Sequence, residues 1–368
     1  MKDFAETIKK TPPDFLLMTV ILSLMGIGLV TIYSSSAIYA LDRFGSSTYF
    51  LIRQMLWISI GTCACIFFMT YNHQNLKKWA KPLLIISLVL LILVLVKGKV
   101  VGGARRWIRI GGIGFQPSEF TKFSLIVFVA YYCDKKRSKI DNLTKGLAPI
   151  LGIIGFFCGL IFLQRDLGTP VLLSLTCITM IYIGGGSGVQ LGGLIMSVFP
   201  LIAFAAWAEP YRRRRILSFL NPWEHVQGSS YQLIQSLLAL GSGGLTGVGL
   251  GGSHSKLLYL PEPHTDFIFP IFAEEFGLIG TWLMIVLFGI LAWSGFRIAA
   301  RTTNLFSTLM ASGITLMILY QTIYNIAMVT GCLPTKGLPL PFISFGGSSL
   351  VVTLSCMGIL LNISRNAI

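Results

Sequence analysis

The sequence predicts an all-α polytopic membrane protein with about ten transmembrane helices and one large extracytoplasmic loop, and three observations carry that prediction. Of 368 residues, 54% are hydrophobic and 12% charged, against roughly 25% charged in an ordinary soluble domain. Mean hydropathy is +0.75, and the apolar runs extend from residue 15 to residue 363, so no stretch is long enough for a soluble domain. Short basic loops recur at alternate connections, the pattern of cytoplasmic loops.

Runs at 15–36, 49–69, 80–96, 117–133, 147–164, 168–186, 190–208, 267–293, 305–330 and 347–363 each approach the roughly 20 residues needed to cross hydrocarbon. The first run lacks a small-residue cleavage site and exceeds a signal-peptide core of about 7 to 15 residues, so it reads as a permanent helix. Lys2, Lys9 and Lys10 precede the first run. Lys77, Lys78 and Lys81 lie between the second and third, and Lys135, Lys136, Arg137 and Lys139 follow the fourth. With Arg297 and Arg301 after the eighth and Arg365 after the tenth, both termini are expected in the cytoplasm.

Net charge is +15. In a soluble protein that would suggest nucleic acid, but here it points to phosphate at the membrane surface, and nucleic acid is not expected as a partner. Two outward loops break the basic-inside rule, with Arg105, Arg106 and Arg109 in one and Arg212 to Arg215 in another. Phospholipid headgroups would account for these arginines. So would a bound diphosphate, whose oxygens match the guanidinium fork. Six of the seven cysteines, Cys63, Cys65, Cys133, Cys158, Cys177 and Cys356, lie in or beside apolar runs, where a thiol acts as a small hydrophobe.

The loop at 209–266 is the longest. Tyr231, Leu233, Ile234, Leu237 and Leu238 fall at helical spacing within it and predict a packed segment lying on the membrane. Gly247 to Gly252 formally match a dinucleotide fingerprint but lack the preceding strand, so a flexible turn is the simpler reading.

Four polar groupings could carry chemistry. Glu119 and Lys122 stand at i and i+3 at the start of the fourth run. They can pair, either as a structural ion pair or as a substrate contact, and should face the bundle interior or its aqueous edge. Asp166, in the turn after Gln164 and Arg165, suits a cap for the sixth helix or a partner for a nearby arginine. Asp266 stands at the mouth of the eighth run beside Phe267 and Phe269. Burial there raises a carboxyl pKa and neighbouring arginines lower it, a balance suited to a general base near neutral pH, with an N-cap as the alternative. Glu274 and Glu275, further in, are functional candidates or an interhelical ion pair. His254, Glu262 and His264 follow no zinc spacing. The stretch from Gly331 to Ser349, rich in glycine and proline, is expected to hold backbone amides near a cavity.

Taken together, Pro261-Glu262-Pro263-His264-Thr265-Asp266-Phe267-Ile268-Phe269, the loop from Pro334-Thr335-Lys336-Gly337 to Gly346-Gly347-Ser348-Ser349, Ala104-Arg105-Arg106-Trp107 and Gln116-Pro117-Ser118-Glu119-Phe120 resemble the SEDS family of FtsW and RodA. The resemblance covers essentially the whole chain and implies one SEDS-type transmembrane domain, residues 1–368. It implies a peptidoglycan glycosyltransferase that polymerises lipid II with a class B penicillin-binding protein and other division or elongation membrane proteins. Asp266 matches the family's essential aspartate. Arg106, Trp107, Glu119, Lys122, Asp166, Arg212, Arg215, His264, Lys336 and Ser344 are the candidate substrate-binding residues. A divalent cation, Mg or Mn, is the candidate cofactor, sharing with arginine the task of stabilising the diphosphate. The Pro334-Thr335-Lys336-Gly337 string looks like FtsW, whereas the short termini look like RodA; the former is favoured. Two positions depart from the pattern: Arg165 stands where proline is common, and Pro263 where it is not. The competing readings are a lipid II flippase, which needs a polar path through the bundle of the kind Glu119, Lys122 and Glu275 would line, and a non-catalytic divisome scaffold.

Overall fold

The computed structural model describes residues 12–101, 104–110, 113–208, 213, 217, 219–225, 230–256 and 264–366. Asp14 starts α1 (Phe15–Phe44) by accepting the Leu17 amide at 3.0 Å, and Gly45, at φ 71°, ends it. There follow α2 (Tyr49–Thr70), α3 (Leu76–Lys97), α4 (Pro117–Lys135), α5 (Ala148–Leu163), α6 (Gly168–Ile183) and α7 (Gly188–Ala208). After these come α8 (Tyr231–Ser242), α9 (Ile268–Arg301), α10 (Leu305–Val329) and α11 (Gly347–Ser364).

Every expected run is helical. Among the described residues seven helices are long and apolar enough to cross a membrane. α4, with Glu119, Lys122, Asp134 and Lys135, is not one of them, and α6 and the Gly188–Ser197 part of α7 are shorter. The chain is a multi-pass membrane protein all the same. Ile52 and Leu56 of α2, Ile85 and Val89 of α3, and Ile279 and Trp282 of α9 are exposed apolar side chains, which only lipid would cover. Burial inside the bundle runs from 17% of the apolar window of α2 to 78% in α10 and 72% in α11. Helices α10 and α11, with the largely buried α4, therefore form its centre.

The all-α expectation also needs an addition. β1 (Lys99–Val101), β2 (Ala104–Ile110) and β3 (Ile113–Phe115) form a small antiparallel sheet, with Lys99 opposite Trp107 and Ile108 opposite Phe115. It fills the connection from α3 to α4. Helix α8 occupies the spacing predicted for the amphipathic segment, but packs onto protein: Leu233, Ile234 and Ala239 are buried, and the Ser236 hydroxyl donates to the Val329 carbonyl of α10 at 2.6 Å. At the opposite end of the bundle, His73 sits between Asn362 (2.6 Å) and Ser307 (2.9 Å). Arg297, expected in a loop, lies within α9, which runs to Arg301, and pairs with Asp14.

Helix α9 is broken at Gly277, whose φ is 64° and ψ −165°. A regular helix would pair the amides of residues 278 and 279 with the carbonyls of 274 and 275. Instead Leu278 donates to the Gly244 carbonyl at 3.0 Å and Ile279 to that of Leu245 at 3.2 Å. The vacated carbonyls of Glu274 and Glu275 accept the amides of Val248 (3.0 Å) and Gly249 (3.1 Å). The glycine-rich stretch is thus an inserted segment rather than the flexible turn its composition suggested. Gly247, at φ 84°, lies so close that a methyl there would overlap the Glu275 carbonyl.

Replacing Gly247 with alanine should therefore cost about 1–3 kcal/mol, read as a lower apparent melting temperature in detergent. Gly241→Ala, where a methyl meets open space, is the control and should melt like the native chain. Equal melting of both variants would show that the interlock does not require glycine.

Candidate functional site

Four of the residues named from sequence, Arg106, Asp166, Asp266 and Lys336, meet where the α5–α6 turn and the start of α9 face the loop between α10 and α11. Helix α10 presents Gln321, Asn325 and Met328, spaced four and three residues apart and hence on one face. That face binds the loop. Gln321 donates to the Pro339 carbonyl at 2.7 Å, Asn325 to the Leu338 carbonyl at 2.7 Å, and the Met328 sulfur receives the Lys336 amide at 2.9 Å. Ser344 accepts the Leu340 amide at 2.8 Å, closing the loop's last turn. Phe342 within it holds a left-handed φ of 66°.

Asp266 is fixed by the same device. Asn325 donates to its carbonyl oxygen at 2.9 Å, and its side chain lies against Gly337, where a methyl group would overlap the carboxylate. A side chain at 337 would therefore push the carboxylate aside, a contact no motif reading anticipated. The neighbouring Lys336 reaches Asp166, with Nζ 3.4 Å from Oδ1.

Asp166 does cap α6, as its position suggested. It accepts the amides of Gly168 (3.1 Å) and Thr169 (3.3 Å) and the Thr169 hydroxyl (2.8 Å). Its ion pair, however, is with Lys336 of the loop. Arg106, from β2, donates instead to the carbonyls of Arg165 (2.6 Å) and Gln164 (3.4 Å) in the same turn. Arg165 has φ 60°, a conformation closed to proline, so the departure from the family pattern matches the backbone this turn adopts. Asp166, Arg106, Lys336 and Asp266 therefore border one region.

Other candidates lie elsewhere. Trp107 packs over Gly114 of β3. Glu119 and Lys122 form a closed, buried pair at 2.7 Å, extended by Lys122 to Gln321 at 2.9 Å. The pair thus supports the helix face that carries the loop. His264 turns its ring into an aromatic cluster, 4.0 Å from the Phe50 centroid and 5.6 Å from those of Tyr39 and Phe345. Burial holds its imidazole pKa down at about 4, so the ring is neutral at physiological pH. Arg212, Arg215 and Pro261 to Pro263 lie outside the described residues. Glu275 does form an ion pair, but with Lys256 of the loop preceding α9 rather than with another helix.

The pattern of the FtsW/RodA/SpoVE family of cell cycle proteins matches residues 15–368. The chain is 45% identical to stage V sporulation protein E of Bacillus subtilis over 364 residues, 98% of this chain and 99% of that one. It is 41% identical to a probable peptidoglycan glycosyltransferase FtsW of Trichlorobacter lovleyi, covering 95% and 93%. Among solved structures it is similar to a chain of a peptidoglycan synthase complex that coordinates polymerization and crosslinking (TM-score 0.81, 28% identity, covering 96% and 98%). It is similar also to the rod shape determining protein RodA of Thermus thermophilus (TM-score 0.69, 26% identity, covering 96% and 97%).

The buried His264 ring makes a pH prediction. Folded, it stays neutral down to about pH 4, whereas in the unfolded chain it protonates near 6.5. Between these values the unfolded state binds more protons, so stability falls as the pH is lowered across that window. His264→Gln should flatten the decline in apparent melting temperature between pH 6.5 and 4. A decline as steep as that of the native chain would show that other groups cause it.

Proposed function

This chain belongs to the FtsW/RodA/SpoVE family of cell cycle proteins, and on that premise we propose that it is an inverting peptidoglycan glycosyltransferase, polymerising lipid II into glycan strands. The observation that carries the reading is the meeting of Asp266, the Lys336–Asp166 pair and Arg106 at one end of an apolar bundle. A lipid-linked substrate can reach that end without leaving the bilayer.

In the proposed reaction the sugar 4-hydroxyl of one lipid II attacks the anomeric carbon of the growing chain. The new oxygen–carbon bond forms on one face as the bond to the diphosphate oxygen breaks on the other, and undecaprenyl diphosphate departs with the electron pair. Asp266 takes the hydroxyl proton. Lys336 and Arg106 supply positive charge toward the departing diphosphate, and each is already oriented by a partner in the α5–α6 turn. A neutral His264 leaves the charge balance of this end to those cations. A Mg or Mn ion belongs to the proposal as a counter-ion of the diphosphate. Among the described residues no three His, Cys, Asp or Glu side chains converge to hold a metal, and Asp166 already has both oxygens engaged. The diphosphate would therefore supply most of the ligands.

The positive-inside pattern supports an extracytoplasmic position for this end, with both termini inside. The proposed partner is a class B penicillin-binding protein, in keeping with the similarity to a chain of a peptidoglycan synthase complex. Relatives bear both sporulation and FtsW names, so the family match speaks to the chemistry rather than to the stage of the cell cycle. A flippase would need an open polar path, whereas Glu119 and Lys122 are buried and closed on each other and on Gln321.

The test is polymerisation of purified lipid II by the chain with its penicillin-binding partner in detergent. Asp266→Asn should assemble normally and lose at least about 100-fold in rate, the size of a general-base contribution. Arg106→Ala should lower lipid II use more than it lowers the yield of folded protein. Native-like polymer from Asp266→Asn would move the activity elsewhere and favour a flippase or a scaffold.

A further inference from the structure

Ten residues before Asp266 in the chain, Lys256 is buried. Its ammonium lies 3.1 Å from Oε1 of Glu275, which is 1% exposed, and donates to the Ser34 hydroxyl of α1 at 3.3 Å. The same Oε1 accepts the Ser34 hydroxyl at 2.5 Å and the Gly251 amide at 3.1 Å. One carboxylate oxygen thus collects donors from α1, from the inserted loop and from the residue that ends it. Glu274, one position earlier, accepts the Ser253 hydroxyl (2.5 Å) and the amides of His254 (3.0 Å) and Ser255 (3.4 Å). Two adjacent carboxylates just before the break in α9 therefore hold residues 251–256.

Burying charge in this way is a poor route to stability, because apolar side chains of similar volume would often hold the segment as well or better. What a pair of acceptors does provide is register: a slip of one residue leaves both carboxylates and Lys256 without partners inside the bundle. The far end of the connection is held as firmly, by Asn325 on the Asp266 carbonyl and by the Phe345 amide on the His264 carbonyl at 2.9 Å. Residues 251–256 are thus held by α9, and residues 264–266 by α10 and the loop that follows it.

We infer that Lys256 and Glu275 are positioning residues for the glycosyl transfer, a clamp that fixes the first two turns of α9, and with them Asp266 immediately before it, against α1 and residues 251–256. The inference rests on the glycosyltransferase reading. It does not make either residue touch the substrate. It requires that loss of the ion pair slow the transfer step and leave lipid II binding largely intact.

The experiment uses the full chain with its class B penicillin-binding partner and lipid II, and compares the native chain, Lys256→Arg, Lys256→Met and the neutral double variant Lys256→Met/Glu275→Gln. The double variant leaves no unpaired charge in the bundle and keeps acceptors for Ser34 and Gly251, so it tests position without the penalty that could unfold Lys256→Met alone. The expected result is a folded double variant whose kcat falls roughly 10- to 100-fold, the range of a misplaced catalytic group, with KM changed less than about twofold. Faster hydrogen exchange at the amides of 251–256 and recovery of kcat in Lys256→Arg should accompany it. A double variant with native kcat would overturn the inference, as would a loss confined to KM. Absence of polymer from the native chain would overturn instead the glycosyltransferase reading beneath it.

Discussion

The break in α9 at Gly277 is the constraint on which the end of the molecule that bears Asp266 depends. It lies about 14 Å into the helix at 1.5 Å per residue, where an apolar surrounding leaves unpaired backbone groups costly. Two carbonyls and two amides are released there, and the 244–249 segment returns a partner to each. The exchange ties a loop from outside the helix to the helix interior by main-chain bonds alone. Only glycine at 247 and 277 lets the two backbones approach that closely. Once that segment is seated, Glu274 and Glu275 are turned toward its continuation at residues 251–256.

A second insertion meets the first. The loop between α10 and α11 lies on Gln321, Asn325 and Met328, and the buried Glu119–Lys122 pair braces that face from α4. Asn325 binds both the loop and the Asp266 carbonyl, so the carboxylate and Lys336 are referred to one side chain of a central helix. The arrangement suits an enzyme that must hold charge at a lipid boundary: polar groups are anchored from the protein side, and the end they border is the one a lipid-borne diphosphate would reach.

Much of this was legible in the residues. The apolar runs located the helices, Asp166 was placed as a cap and is one, and Glu119 and Lys122 pair across i and i+3 inside the bundle as their spacing requires. Other features were not. Hydropathy alone understates α4, because Glu119 and Lys122 interrupt its apolar run and satisfy each other inside the bundle. The strands at 99–115 are too short to leave a periodic signal. The glycines at 247–252 read as loose because composition reports conformational freedom, and only a neighbouring backbone shows that the freedom is used for contact. Asn325 and Gln321 belong to no motif, and only their spacing with Met328 marks one face of α10.

The sequence by itself determined that this protein lives in the bilayer, roughly where it crosses, and which acidic and basic residues stand at the ends of those crossings. These follow from transfer free energy and local backbone geometry, which act residue by residue. The tertiary structure alone decided which charges meet: that Lys336 joins Asp166, that Lys256 joins Glu275 and Ser34, and that Gly337 receives Asp266. Those partners are far apart in the chain or separated by an irregular loop, and a polar group buried in a membrane accepts whichever partner the packing brings within about 3 Å.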